Sequence, residues 1–181
     1  IIAMDRLARG RLQGGVVGTQ MTNYGVELAF REAGIAFERA RVGDRYVMEV
    51  LVRNGWQLGG EGSGHLIALD CTTTGDGIIS ALQVLVAMVN TGKSLHDIKQ
   101  GMDKLPQHMI NVRIRERCDL LANDAIRNAL RQAEQKLEGQ GRVLLRPSGT
   151  EPVVRVMAEG RDESLVLAVA RDLAAVVEAS L

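Results

Sequence analysis

Residues able to do chemistry concentrate in the stretch Arg146-Pro147-Ser148-Gly149-Thr150-Glu151-Pro152. A planar guanidinium grips phosphate through two parallel hydrogen bonds. Ser148 and Thr150 each have an O–H to donate. Gly149 permits a backbone whose successive N–H groups point into one concavity, an anion nest. Arg155 follows closely enough to reach the same anion. On composition the stretch has two readings, a phosphate grip or a polar turn with a solvated arginine.

A second concentration is Gly59-Gly60-Glu61-Gly62-Ser63-Gly64-His65. Glycines remove side chains where something approaches the backbone. What remains is Glu61, Ser63 and His65 at alternate positions. A carboxylate accepts from two neighbouring hydroxyls at once, which matches a sugar diol. The alternative is a glycine-rich hairpin with exposed Glu and His. His65 is a candidate for proton transfer or for orienting Glu61. Between Thr72 and Gly77 the run Thr-Thr-Thr-Gly-Asp-Gly offers Asp76 as a metal ligand or as a first-turn helix residue. The second is favoured, because a negative charge suits a helix N-terminus.

The elements around these loops can be read from periodicity. Residues 1–10 form a helix stopped at Gly10. Val16–Thr19 is a strand, and Thr22 or Asn23 caps a helix running to Gly34. Ile35–Ala40 is a second strand, and a helix from Asp44 to Arg53 ends at Asn54-Gly55. Strand–helix alternation predicts a parallel sheet. Loops 41–45 and 59–65 follow strands, so they share the rim where such sheets collect ligands. A long helix after Gly77 carries Ile78, Ile79, Leu82, Leu85, Val86 and Val89 on one apolar face, and Ser94 caps a short helix. Leu105-Pro106-Gln107 is the linker. Beyond it the order is β-α-β-β-α: an alternating strand from Met109 to Arg115, a helix from Asp119 to Leu137, strands on both sides of 146–152, and a helix capped by Asp162. The predicted class is therefore α/β: a parallel-sheet α/β domain followed by a small two-layer α+β sandwich.

Composition narrows the partners. Lys+Arg and Asp+Glu are 22 each, so no nucleic-acid or acidic-membrane partner is expected. Arg113, Arg115 and Arg117 read as an exposed strand face. Aromatics are only 3% of the chain, so its cores must be aliphatic. Cys71 and Cys118 have no metal spacing and predict no disulfide framework. No membrane span or signal segment is read, and the opening Ile1-Ile2-Ala3-Met4 reads as a helix already under way.

Taken together, Gly60-Glu61-Gly62-Ser63-Gly64-His65 and Arg146–Pro152 resemble the α-D-phosphohexomutase superfamily. Val42-Gly43-Asp44-Arg45-Tyr46-Val47 and Thr72–Gly77 are similar to its phosphoglucosamine mutase branch. The likeness runs over essentially the whole chain. Members have four domains, with a phosphoserine in the first and an Asp-rich magnesium loop in the second. Neither motif occurs here, so the chain resembles a C-terminal piece. Residues 1–14 would be the tail of the preceding domain or a joining helix, 15–105 an α/β sugar-binding domain, and 106–181 a two-layer phosphate-binding domain.

The resemblance implies interconversion of glucosamine 6-phosphate and glucosamine 1-phosphate through a bisphosphate intermediate. The alternatives are a phosphomannomutase or phosphoglucomutase fragment, or a non-catalytic phosphosugar-binding module. Glu61, Ser63, His65, Gly43, Asp44, Arg45 and Arg41 would face the sugar. Arg146, Ser148, Gly149, Thr150 and Arg155 would face the phosphate. Departures are Arg at 41, where many relatives have Lys, and Pro at 147, where this branch often has Lys. Mg2+ would be bound by a loop absent from this chain. Its partners would be a phosphosugar and the missing N-terminal domains, in the cytoplasm, with a homodimer left open.

Overall fold

The computed structural model describes residues 1–114, 119–149 and 151–181. The chain divides into two units, Ile1–Lys104 and Leu105–Leu181, each with its own hydrophobic core. No single helix among the described residues is long and apolar enough to cross a membrane.

In the first unit β1 (Val16–Thr19), β2 (Phe37–Ala40), β3 (Leu58–Gly60) and β4 (Leu66–Ala68) form one sheet in the order β2-β1-β3-β4. β1 runs parallel to β2 and β3, and β3 turns back antiparallel into β4. The crossover helices are α2 (Tyr24–Glu32) and α3 (Asp44–Asn54). Asn23 caps α2 by accepting from the Gly25 N–H, and Gly55 ends α3 in the left-handed conformation, the terminal chemistry expected at these positions. One sheet face carries α3, with Val17, Val47, Leu51 and Ile67 almost fully buried between them. The other face receives Ile2 and Ala3 from α1 (Ile2–Ala8), against Val16, Ile35 and Leu58. The helix read as a tail or a join thus packs into the core of the first unit.

After β4 come α4 (Gly77–Thr91) and the short α5 (Leu95–Ile98), capped by Asp76 and Ser94. The apolar face predicted for α4 exists, but most of it is exposed. Only Ala87 is buried, with Val84 packed against the core, while Ile78 and Val89 are 76% and 82% exposed. Periodicity reports which side of a helix is apolar and does not report what lies against it.

The second unit is a three-stranded antiparallel sheet of β5 (Gln107–Arg113), β6 (Gly141–Pro147) and β7 (Val153–Gly160), in the order β5-β7-β6. α6 (Asp124–Lys136) and α7 (Glu163–Ser180) supply its helical layer. Ile126, Val154, Val156, Val166 and Val177 are fully buried in the core. The first helix starts later than predicted. Leu120–Ala122 is a 3-10 turn, and the Asn123 side chain accepts from the Ala125 and Ile126 N–H groups, so the α-helix begins at Asp124. Arg113 is exposed at the end of β5, whereas Arg115, Arg117 and Cys118 lie outside the described residues. Cys71 is a free, exposed thiol.

β7 also carries a buried carboxylate. Glu159 is fully buried opposite Gln107 on one neighbouring strand and Arg142 on the other. Gln107 Nε2 donates to it at 2.7 Å and the Arg142 guanidinium pairs with it. This cross-strand triad satisfies the charge that burial would otherwise penalise.

Candidate functional site

In the first unit the site residues collect past the carboxyl ends of β2 and β3. β3 and β4 form a hairpin, closed where the Glu61 N–H donates to the His65 carbonyl at 2.9 Å. The hairpin reading of 59–65 is therefore correct as geometry, and the polar residues stand at its tip. Gly59 is not a ligand cradle: a Cβ there would meet Val47 Cγ1 of α3 at 2.8 Å. Its missing side chain lets helix and strand pack closely.

The hairpin tip and the 41–45 loop are pinned together twice. The Gly43 N–H donates to Glu61 Oε1 at 2.7 Å. His65 Nδ1 contacts Asp44 Oδ2, while Asp44 Oδ1 is buried without a hydrogen-bond partner. Gly43 has φ 123°, a conformation that turns its N–H toward the tip and that side-chain-bearing residues rarely adopt. Ser63 is exposed at the tip. Arg41 lies over the Tyr46 ring at 4.3 Å. Arg45 pairs along α3 with Glu49 at 2.9 Å, and that hydrogen bond raises its guanidinium pKa. Gly43, Asp44, Glu61 and His65 are thus brought together, whereas Arg41 and Arg45 have partners on their own segment.

In the second unit Arg146 on β6 stands directly opposite Arg155 on β7. Directly opposed residues of an antiparallel pair share a sheet face, so two like charges meet. Both Nε atoms are buried without hydrogen-bond partners. Burial first, and then the neighbouring Arg155, hold the Arg146 guanidinium below its usual range. Pro147 closes β6 on the sheet edge, where a missing N–H costs little. Ser148 is buried; its N–H donates to the Val153 carbonyl at 2.8 Å and its Oγ accepts from the Glu151 N–H at 3.3 Å. Gly149 does not take the left-handed conformation that an αR–αL nest requires. Thr150 lies outside the described residues.

The sequence reading missed Glu151, whose Oε2 accepts from Arg155 Nη2 at 3.0 Å. Its position inside the quoted loop was the available signal. Among the described residues no group of three or more His, Cys, Asp or Glu side chains is placed to hold a metal ion. Asp76 caps α4, accepting from the Ile78 and Ile79 N–H groups.

Polar loops beyond the carboxyl ends of parallel strands mark the ligand-binding α/β proteins, and the first unit is of that class. The chain belongs to the phosphoglucomutase/phosphomannomutase family. Residues 1–105 match the family's alpha/beta/alpha domain III, and residues 109–176 match its C-terminal domain. A phosphoglucosamine mutase of Hahella chejuensis is 62% identical over 100% of this chain and 41% of its own length. A phosphoglucosamine mutase of Marinobacter nauticus is 59% identical over 99% of this chain and 40% of its own length. The chain therefore spans about two fifths of the length of these curated relatives.

Solved structures share the fold. The N-acetylphosphoglucosamine mutase of Aspergillus fumigatus, in complex with GlcNAc-6P and magnesium, superposes with a TM-score of 0.78 at 20% identity, over 97% of this chain and 44% of that one. A phosphoglucomutase/phosphomannomutase family protein of Burkholderia thailandensis gives 0.71 at 18% identity, over 97% of this chain and 40% of that one.

Proposed function

We propose that this chain is the substrate-gripping part of a phosphoglucosamine mutase that interconverts glucosamine 6-phosphate and glucosamine 1-phosphate. The observation that carries the reading is the Arg146–Arg155 pair, two guanidinium groups opposed on one sheet face with buried, unpartnered Nε atoms. Glu151 pairs with Nη2 of Arg155, but both Nε positions are left without an acceptor, which an anion would supply. A phosphate between them would supply acceptors to both and reverse the sign of their interaction. Ser148, Gly149 and Thr150 would complete that grip.

Glu61 and Ser63 would hold hydroxyls near the middle of the sugar. Glu61 Oε1 is engaged by Gly43, which leaves the second carboxylate oxygen to accept from a hydroxyl. Contacts to the middle of the ring survive when the bisphosphate intermediate turns over, which the reaction requires. The gripped phosphate sets the distance to the reacting hydroxyl, so its binding energy serves the transfer step. For His65 the geometry favours orientation of the tip over proton exchange, because Nδ1 meets Asp44 and Nε2 faces Gly75. Arg41 and Arg45 would add positive potential at the rim.

The phosphoserine would come from residues outside this chain. So would the ligands of magnesium, an ion present in the solved Aspergillus complex. The remaining N-terminal domains would be its partners within one cytoplasmic protein, and a homodimer is compatible with that. The proposed functional division follows the linker: sugar binding in 15–105, phosphate binding in 106–181.

Residue-resolved NMR titration tests this. Glucosamine 6-phosphate should shift amides in both 59–65 and 146–155, and Arg146→Ala should abolish the second set. The absence of any shift at millimolar ligand would overturn the phosphate site. Turnover of glucosamine 6-phosphate by this chain alone would overturn its reading as a part of the enzyme.

A further inference from the structure

The Thr72–Gly77 motif has no part in the grip described above, yet it touches the site at one point. His65 is held at Nδ1 by Asp44. Its opposite edge lies against Gly75, where a Cβ would fall 1.7 Å from Nε2 and 2.2 Å from Cδ2. Any side chain at 75 would occupy the space that the imidazole fills.

Gly75 is itself held by its neighbours. Asp76 Oδ1 accepts from the Ile78 and Ile79 N–H groups at 2.8 and 2.9 Å, and Ser80 Oγ donates to the Asp76 carbonyl at 2.7 Å. At the other end the Cys71 and Thr72 N–H groups both donate to the Ala68 carbonyl of β4. The loop is anchored on both sides of the contact, so a clash at 75 would displace the ring more readily than the loop.

We propose that Gly75 is a positioning residue of the sugar site: its missing side chain is the notch that seats the His65 imidazole, with Asp44 fixing the ring from the other side. The seated ring locks the hairpin tip to the 41–45 loop and so holds Glu61 where its free oxygen faces the sugar. The functional part of this inference rests on the reading of 61–65 as the sugar site. The notch itself does not. A hydrogen shared between Nδ1 and the Asp44 carboxylate also selects the tautomer with the proton on Nδ1 and the lone pair on Nε2. That tautomer is a signature that packing alone would not produce.

The test uses the whole chain with 15N-labelled histidine, read by long-range imidazole correlation spectra. His96 and His108 serve as internal references. The neutral His65 ring should show the Nδ1–H form, and Asp44→Asn should move it toward Nε2–H. Gly75→Ala should abolish the Nδ1–H signature and shift the 61–65 amides, while leaving 146–155 and its response to inorganic phosphate unchanged. A double-mutant cycle guards against simple misfolding. Once His65→Ala has emptied the notch, Gly75→Ala should produce no further shift at 61–65 and no further loss of thermal stability. An unchanged His65 signature in Gly75→Ala, or equal disruption by that change with and without the imidazole, would overturn the proposal. If glucosamine 6-phosphate leaves 61–65 unmoved in the parent chain while the tautomer and the cycle behave as stated, the sugar reading fails and the notch stands.

Discussion

Arg146 and Arg155 oppose one another on one sheet face, and Glu151 balances only the second of them, so stability and binding should respond to mutation with different signs. Arg155→Gln removes the like-charge contact with Arg146 and the partly exposed ion pair with Glu151, two terms of opposite sign, so stability at the thermal midpoint should move by less than about 1 kcal/mol. The same change removes charge-assisted hydrogen bonds to phosphate and should weaken phosphosugar binding by about 1.5–3 kcal/mol. Calorimetric titration and a melting curve on one sample check both signs. The buried triad behaves differently. Arg142→Met removes the counter-charge of the buried Glu159, leaving the Gln107 hydrogen bond, and should cost about 3–5 kcal/mol in urea denaturation, whereas Arg142→Met with Glu159→Met together should recover much of the loss. Strand register places all of these partners, and register is invisible at the level of one residue.

α4 separates what a helix prefers from what covers it. The sequence reading puts Asp76 in the first turn, and the structure makes it the N-cap itself, one position before the helix. Asp76→Ala should cost about 1–2 kcal/mol, because two N–H groups lose their acceptor. Its exposed Ile78, Leu82, Leu85, Val86 and Val89 should favour association at high concentration. Ile78→Lys with Val89→Lys should lower light scattering and dye binding and leave the melting temperature nearly unchanged, since both side chains are already mostly in water. A large fall in melting temperature would show the face to be covered in solution. α6 taught the reverse lesson: its first predicted turn went to a 3-10 segment because Asn123 offered the backbone N–H groups a better acceptor further on.

Two units with separate cores should melt as two transitions. Leu51→Ala should lower only the transition of the first unit and Leu173→Ala only that of the second, each by about 2–5 kcal/mol. Differential scanning calorimetry decides this, and a single transition displaced by both changes would refute independent units. At this scale the sequence alone determined a good deal. It contained the strand–helix alternation, the stop at Gly55, a cap at Thr22 or Asn23 and another at Asp162, the break before Pro106, and the two polar loops after strands. Each of these is set by a few consecutive residues, through caps, turn geometry or periodicity, so each can be read locally. Only the tertiary structure decided that Arg146 faces Arg155, that Glu61 takes the Gly43 N–H, that His65 sits between Asp44 and Gly75, and that most of the α4 face stays exposed. These outcomes depend on register and on the closing of loops between residues distant in sequence, and no local propensity records either.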